Sequence, residues 1–190
     1  MFLNRTTNAE RFFQERALAF SSPDSKLAAP RYNIFMRITR HERPDDVPAL
    51  VSLVNRAFVA ESPYIEGDRV SENSLREMLV KGRFVVFEED REIIACTFIE
   101  PRGDRAHLGL VSVDPTRQGN GVGSELMAAV EAHCRQAGYR QMELRFINHR
   151  HELERFYTRH GFVPTGVTES ITNHRVKKPF HSVQMVKHLV

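Results

Sequence analysis

Three alternate glycines, Gly119, Gly121 and Gly123, stand between a predicted strand and a predicted helix. Glycine lets the backbone turn sharply there and exposes several N–H groups at the start of the helix, which suits a phosphate or pyrophosphate. A turn that only joins strand to helix is the alternative. Because each glycine adds chain entropy that folding must overcome, three in five positions favour the anion-binding interpretation.

The residues around these glycines narrow the choice of phosphate ligand. A P-loop ends in Gly-Lys followed by Ser or Thr, and this turn contains no lysine. A dinucleotide fingerprint would need its third small residue where Ser124 stands, and Glu143, at the distance of the ribose-binding acid, falls in the middle of a strand. The turn also follows a hairpin late in the chain. Dinucleotide binding is therefore the weaker interpretation.

Two polar side chains beyond the turn are candidates for chemistry. Tyr157 follows Phe156 on a predicted helix, so its ring either packs in the core or aims its hydroxyl into a cleft. Spacing alone favours packing. Asn148, which follows a predicted strand, is either a buried structural amide or a ligand-binding group.

Cysteine and histidine form no reactive or metal-binding pattern. Cys96 and Cys134 lie within apolar patterns, which predicts buried, inert thiols. His149 and His151 would point to different sides of a helix, and with His160 they do not match the spacing of a zinc motif. The sequence therefore predicts no metal site.

The elements that must position these residues alternate along the chain. Apolar residues recur every three or four positions in four predicted helices, which begin at Pro44, at Ser71 or Asn73, at Val122 and at Glu152. Strands are predicted at 33–39, 83–88, 92–99, 108–113, 142–147, 162–167 and 182–187, with a loop from 59 to 70. This order predicts a mixed α/β or α+β sandwich without internal repeats.

The composition excludes several classes of function. The 190 residues include 27 basic and 24 acidic side chains, a formal net charge of +3, and no run of Lys or Arg longer than two. Nucleic-acid binding, which needs a clustered basic stripe, is therefore not expected. The longest mainly apolar stretch, Ile93 to Ile99, is far shorter than the ~20 residues that span a bilayer. Two cysteines fit a reducing compartment, so we expect a soluble cytoplasmic protein without a membrane segment.

Residues 1–34 differ from the rest and are predicted to be an extension of unknown role. They contain no apolar segment of the signal-peptide type, and their acidic residues argue against a transit peptide. Residues 10–20 are predicted to form a short helix. An alternative is that translation begins at Met36, where the regular pattern starts.

The glycine turn carries a family resemblance. Gln118-Gly119-Asn120-Gly121-Val122-Gly123 fits (Gln/Arg)-x-x-Gly-x-(Gly/Ala) and resembles the acyl-CoA signature of the GNAT N-acetyltransferase superfamily. Val113-Asp114-Pro115 before it is similar to the Val-x-Pro at the end of the family's fourth strand. Asn148 and the later segment Phe156-Tyr157-Thr158-Arg159-His160-Gly161-Phe162 resemble the family's Asn followed by Phe-Tyr-x-x-x-Gly-Phe. The resemblance implies a GNAT-like domain at 35–190.

The resemblance implies a fold and a set of cofactor contacts. The fold is a mixed, mainly antiparallel sheet flanked by helices, whose fourth and fifth strands splay apart around the pantetheine arm of acetyl-CoA. The arm would pair with the fourth strand near Val111 and Val113. The pyrophosphate would bind the N–H groups of Gln118, Gly119, Asn120, Gly121, Val122 and Gly123. Asn148 would bind the cofactor from the other lip, and Tyr157 would donate its proton to the departing sulfur.

The implied reaction is acetyl transfer from acetyl-CoA, used as a cosubstrate without a metal, to a primary amine of a small molecule or a protein. The amine attacks directly in a ternary complex, and a backbone N–H near Val113 holds the oxyanion. The general base stays open, with His107 as one candidate. The loop that holds Glu61 and Arg69 is predicted to line the acceptor side, where a charged loop is either solvated or attracts an ammonium group.

Two other functions compete with this one. The domain is alternatively a catalytically silent CoA-binding module, or, as a weaker interpretation, a dinucleotide-binding enzyme that uses the same glycines. The C-terminal strand, predicted to lie at the edge of the sheet, is compatible with a monomer or a homodimer.

Overall fold

Seven strands and four helices make up the part of the chain that the computed structural model describes, residues 37–167 and 170–189. The predictions for residues 1–34, for the helix at 10–20 and for a start at Met36 lie outside the described residues. The strands are β1 (Ile38–His41), β2 (Arg83–Glu89), β3 (Glu92–Arg102), β4 (Arg105–Val113), β5 (Gln141–Ile147), β6 (Val163–Val167) and β7 (Ser182–His188). The helices are α1 (Val47–Ala57), α2 (Glu72–Leu79), α3 (Val122–Gln136) and α4 (His151–Arg159).

All seven strands form one sheet in the order β1-β2-β3-β4-β5-β7-β6. The C-terminal strand β7 pairs on both sides, so the prediction that it lies at the edge of the sheet is wrong. Every neighbouring pair is antiparallel except β4 and β5, which run parallel with α3 as their crossover. The predicted mixed, mainly antiparallel sheet is therefore confirmed.

The β2–β3 hairpin closes through a two-residue turn. Asp90 and Arg91 have φ angles of 51° and 67°, the left-handed values of a type I′ turn, whose twist matches that of the flanking strands. Because the turn needs only these two residues, Glu89 belongs to β2, one residue beyond the predicted end of the strand.

The sheet has a core on each face, which follows from the period of two along the strands. Phe84 and Val86 pack with Leu50 of α1 and the other buried residues of α1 and α2. Val85 and Phe87 point the other way, into the core formed with α3. The two cores contain one cysteine each, and burial raises the pKa of Cys96 to about 12 and that of Cys134 to about 11. Both thiols are free and buried, as predicted.

Several further element boundaries differ from the sequence prediction, and β3, for example, runs to Arg102 rather than to residue 99. β4 begins at Arg105 rather than at residue 108, because its polar start pairs with β3 across the turn at Gly103. The first strand begins at Ile38 and runs to His41, two residues past its predicted end, because it follows the edge of β2. None of the helices in the described ranges is long and apolar enough to cross a membrane.

β4 and β5 separate halfway along their length. They pair only from Arg105 opposite Gln141 to Leu108 opposite Leu144. Just beyond, Leu110 has a φ of 51°, and β4 carries one more residue than β3 between two successive pairs, which is a β-bulge. The bulge turns the end of β4 away from β5. The predicted splaying of the fourth and fifth strands is therefore confirmed, and it opens the cleft described next.

Candidate active site

The gap between β4 and β5 is the mouth of a cleft of about 990 Å³. Its walls come from the end of β4, the glycine turn, the start of α3, helix α4, and the segment that follows α1. Seven of the predicted site residues line it: Val111, Val113, Gln118, Gly119, Gly121, Gly123 and Tyr157.

The glycine turn has the conformation that its sequence predicts. Gly119 and Gly121 have φ angles of 80° and 83°, where a side chain would strain the backbone, and Gly121 caps α3. Within the described residues, none of the backbone N–H groups from Gly119 to Gly123 donates a hydrogen bond. A row of unpaired donors at a helix N-terminus is a binding site for an anion.

The third glycine has a different use. A Cβ atom at Gly123 would approach the Phe156 ring to 3.4 Å, so the lack of a side chain lets α3 lie close against α4. Ser124, one residue on, is 3.1 Å from His160 through Oγ and Nε2, a second link between the two helices. The turn and α4 are therefore held together at the cleft.

Asp114 anchors the turn to the end of β4. Its Oδ1 accepts hydrogen bonds from the Thr116 backbone N–H at 2.9 Å and from the Thr116 hydroxyl at 2.7 Å. Its Oδ2 accepts from Arg56 of α1 at 2.7 Å. The hydroxyl of Thr116 and then the Arg56 guanidinium lower the pKa of Asp114 to about 2. Arg117, at the next position, pairs at 3.0 Å with the buried Glu89 of the β2–β3 hairpin.

The backbone of Val113 faces the gap. The N–H of Asp114 donates to the carbonyl oxygen of Ile94 at 2.8 Å, and pairing directions alternate along an antiparallel strand. The N–H and carbonyl groups of Val113 therefore point away from β3 toward the cleft, where the side chain of Gln118 donates to the Val113 carbonyl at 3.1 Å. The N–H is positioned to bind an oxygen of a ligand that lies in the gap.

Three predicted residues do not contribute side chains to the cleft. Asn120 is exposed on the turn, and the side chain of Val122 is buried in the core beneath α3. Asn148 exchanges two hydrogen bonds with His181: its N–H donates to the His181 carbonyl at 3.0 Å, and its Oδ1 accepts from the His181 N–H at 3.1 Å. Asn148 thus extends the β5–β7 pairing, and its predicted cofactor contact stays a prediction.

Tyr157 is both packed and part of the cleft wall. Its ring contacts Phe146, Phe156 and Phe162 at centroid distances of 5.7, 5.2 and 5.7 Å, and only 5% of the residue is exposed. Burial raises the pKa of its hydroxyl, the nearby Glu61 adds to the rise and Arg150 opposes it. A phenol in this setting keeps its proton at neutral pH and can donate it to a stronger base.

His107 lines the cleft where β4 still pairs with β5. Its Nδ1 is buried without a hydrogen bond among the described residues and lies 3.5 Å from Glu143, which Arg102 and Arg105 also contact. Burial, followed by the charge of Arg102, lowers the pKa of His107. The ring is therefore neutral at pH 7 and stays one candidate for the general base.

Glu61 lies in the cleft wall. It belongs to the loop predicted to line the acceptor side, but its burial was not predicted. It ends the single helical turn Phe58–Glu61, is 5% exposed, and has an Oε2 atom without a hydrogen bond among the described residues. Burial raises its pKa, against the opposing charges of Arg69 and Arg150. In the sequence it is one of several acids in a polar loop, and only the apolar Phe58 before it hints at burial.

The charge of the cleft favours an anionic ligand. Five arginines line it, against two glutamates: Arg69, Arg145, Arg150, Arg159 and Arg175, with Glu61 and Glu152. Arg150 pairs with Glu152, and the Arg175 guanidinium donates to the carbonyl oxygens of Glu66 and Asp68 in the loop after α1. The described residues contain no group of three side chains suited to bind a metal ion.

Known proteins share the fold of this chain. Residues 80–164 match the family model of the acetyltransferase (GNAT) domain. The N-acetyltransferase from Staphylococcus aureus Mu50 has a TM-score of 0.69 at 14% identity, over 82% of this chain and 99% of that one. The ribosomal-protein-S18-alanine N-acetyltransferase from Escherichia coli has a TM-score of 0.68 at 16% identity, over 81% and 94%. The ribosomal-protein-alanine N-acetyltransferase from Brucella melitensis has a TM-score of 0.68 at 18% identity, over 80% and 99%.

These findings confirm the family resemblance that the glycine signature predicted. Identities this low show a shared fold and nothing about the substrate. No curated protein matches the chain in sequence.

Proposed function

We infer that the acetyltransferase (GNAT) domain of this chain transfers an acetyl group from acetyl-CoA to a primary amine, by direct attack within a ternary complex. The observation that carries this inference is the row of unpaired N–H groups from Gly119 to Gly123 at the mouth of a cleft that β4 and β5 open. A pyrophosphate supplies the anion that such a turn binds.

The free side of β4 supports binding of the rest of acetyl-CoA. Past Leu108, β4 has no partner on its β5 side among the described residues, so the amides of the pantetheine arm can pair there as an added strand. The arm would then run from the glycine turn along Val113 and Val111, and the arginines of the cleft would balance the charge of the phosphates.

The chemistry needs two groups of this chain, a backbone N–H and a proton donor. The amine nitrogen forms a bond to the thioester carbon, and the Val113 N–H that faces the gap binds the oxygen on which negative charge develops. When the carbon–sulfur bond breaks, Tyr157 donates its hydroxyl proton to the thiolate of CoA. Neither cysteine takes part, because both thiols are buried in the cores away from the cleft.

The test is acetyl-CoA-dependent release of free thiol with a panel of amines. The panel holds aliphatic diamines, amino acids and a peptide with an N-terminal alanine, the last because two of the similar structures are named as ribosomal-protein-alanine acetyltransferases. Since both protein thiols are buried, a thiol reagent reports CoA. We expect turnover with at least one amine, and mass spectrometry should find the product heavier by one acetyl group.

A pair of glycine variants ties the activity to the glycine turn. Gly121→Glu places a carboxylate among the N–H donors and should reduce CoA affinity by at least about tenfold. Gly103→Glu is the matched control, since Gly103 also has a positive φ, has open space around it, and lies in the β3–β4 turn outside the cleft. Equal CoA affinity in the two folded variants would move the phosphate site elsewhere. CoA binding without turnover of any amine would favour the silent CoA-binding module.

A further inference from the structure

A buried carboxylate lies in the wall of the cleft. It belongs to a different part of the chain from the glycine turn. Glu61 follows α1, and its side chain is 6% exposed. It borders both the large cleft and a cavity of about 260 Å³. The residues that line this smaller cavity include Asn55 and Gly67 but no residue of the glycine turn. The smaller cavity therefore offers a path to Glu61 that bound acetyl-CoA would not block.

The fold does not satisfy this carboxylate. Its Oε2 has no hydrogen bond, and the nearest cation in the described residues, the Arg69 guanidinium, lies 3.7 Å away. Arg69 stacks over the Phe58 ring with 4.8 Å between guanidinium carbon and ring centroid, and is 39% exposed, so part of it stays in solvent. A buried, unbonded polar atom costs about 1–3 kcal/mol, and more when it is charged. A glutamate with a purely structural role would be bonded.

An ammonium group supplies what Glu61 lacks. It carries three N–H donors and a positive charge, whereas a neutral alcohol offers one donor and no charge. Glu61 is also one of the residues that line the cleft, in which an acceptor would sit beside the thioester.

Glu61 and Tyr157 lie close enough to interact. The charge of Glu61 contributes to the raised pKa of Tyr157, and Arg150 at the start of α4 acts on both groups. The groups that face Glu61 are thus Arg69 from its own loop and Arg150 and Tyr157 from the α4 side. Both residues line one cleft, so a reaction centre there has a proton acceptor and a proton donor in its walls.

We propose that Glu61 is the general base of the acetyl transfer, and that the acceptor is an aliphatic primary amine that arrives as its ammonium ion. The assignment rests on the proposed function. Glu61 takes one proton from the ammonium, and the neutral amine forms the C–N bond. As the C–S bond breaks, the thiolate takes the proton of Tyr157. The second proton leaves the nitrogen and restores Tyr157 through water, and Glu61 returns its proton to solvent. An ammonium and acetyl-CoA thus give an amide, CoA thiol and one proton.

The experiment compares two acceptors in two glutamate variants. An aliphatic amine with a pKa near 10 needs a base at pH 7, whereas a weakly basic amine such as methoxyamine is already neutral. Glu61→Gln should lower kcat/KM by on the order of 10²-fold for the aliphatic amine, the lower end of the effect of a general base. The loss for methoxyamine should stay below about tenfold, and acetyl-CoA affinity should not change. Glu77→Gln, which removes an exposed charge of α2 outside the cleft, is the matched control and should match wild type.

Each outcome decides the assignment. The assignment would be overturned if kcat/KM of Glu61→Gln for the aliphatic amine stayed within threefold of wild type. Equal losses of kcat/KM for the two amines would also overturn it, because they would indicate a structural role. If Glu61→Gln did not fold, Glu61→Asp would replace it in the experiment, because it keeps the carboxylate and shortens the side chain. Glu61→Asp should still turn over the aliphatic amine, at a reduced rate. Absence of turnover by wild type with every amine would contradict the proposed function itself, and acetyl-CoA binding in the same samples separates that failure from a failure of Glu61 alone.

Discussion

Tyr157 belongs both to the packed core and to the wall of the cleft. Its ring packs among three phenylalanines, which fixes its position, and the residue also lines the cleft. The two interpretations that the sequence left open, core aromatic and proton donor, are therefore compatible. Under the proposed function, burial that raises the pKa of the hydroxyl would keep the proton on oxygen until a thiolate, whose conjugate acid has a pKa of about 8.5, forms beside it.

The residue-scale prediction is that Tyr157→Phe lowers kcat by on the order of 10²-fold, because it removes the proton donor and keeps the ring. The melting temperature and CoA affinity should change little, since the three aromatic contacts remain. The measurement is steady-state thiol release under conditions in which chemistry limits the rate, with melting curves on the same samples. A kcat within threefold of wild type would assign the proton to water or to another group.

The element that presents the N–H groups is a turn held at its start and in its middle. Asp114 ties its start to Arg56 of α1, and Arg117 ties its middle to Glu89, a carboxylate that is 1% exposed. Glu89 also pairs with Arg37 at 3.1 Å, and Arg37 reaches Glu125 of α3 at 2.6 Å. These ion pairs join the β2–β3 hairpin, the turn and α3, so that the anion site is in place before a ligand binds.

The element-scale prediction concerns Asp114→Asn, which keeps the shape of the side chain and removes its charge. Asp114 has its pKa lowered in the folded state, so its charge-dependent stabilisation is present above pH 3.8 and is lost as the pH falls through about 2. At pH 7 the variant should lose about 1 kcal/mol of unfolding free energy, the difference between hydrogen bonds to a charged and to a neutral acceptor.

Urea unfolding at pH values from 7 down to 3 measures this. The difference between wild type and Asp114→Asn should shrink below pH 4. Glu77→Gln, whose exposed carboxylate lies in α2, serves as the control and should cost little at any pH. A gap that stayed constant down to pH 3 would show that the Asp114 carboxylate contributes through its shape and not through its charge.

At the scale of the whole molecule, the cleft and the splayed strands favour one of two classes of phosphate ligand, the class with a pantetheine arm. Acetyl-CoA and NADH both carry a pyrophosphate, but only acetyl-CoA carries a pantetheine arm that can pair with the free side of β4. Glu143 is the acid at the sequence distance expected of a ribose-binding residue, but it lies in the middle of β5. There its carboxylate contacts Arg102, Arg105 and His107. The glycine turn alone does not make this distinction.

The whole-molecule prediction is that acetyl-CoA stabilises the folded protein and that NADH does not. At a ligand concentration one hundred times Kd the gain is about 2.7 kcal/mol, and a domain of this size gains roughly 2–4 °C in Tm for each kcal/mol. Thermal melting with millimolar acetyl-CoA, CoA or NADH measures it, with Gly121→Glu expected to lose the response to CoA. Equal shifts with CoA and NADH, or none, would contradict the cofactor assignment.

Local sequence patterns determined most of the secondary structure and the position of the anion site. The apolar spacing of Leu50 and Val54 places α1, the turn residues Asp90 and Arg91 place the β2–β3 hairpin, and Gly119 and Gly121 place the turn before α3. These signals are local, because periodicity and backbone freedom act over a few neighbouring residues. The splay of β4 and β5 came from the family resemblance, and the structure supplied its cause, the bulge at Leu110.

The tertiary structure decided which distant side chains meet. Burial of Glu61, its interaction with Tyr157, and the placement of β7 between β5 and β6 depend on residues up to a hundred positions apart. Asn148 is paired with His181 for the same reason, because the register of β5 and β7 brings the two together. A pattern along the chain records which face of an element is apolar, but not which element covers it. Whether a charged residue is solvated or enclosed is therefore settled only when the elements pack.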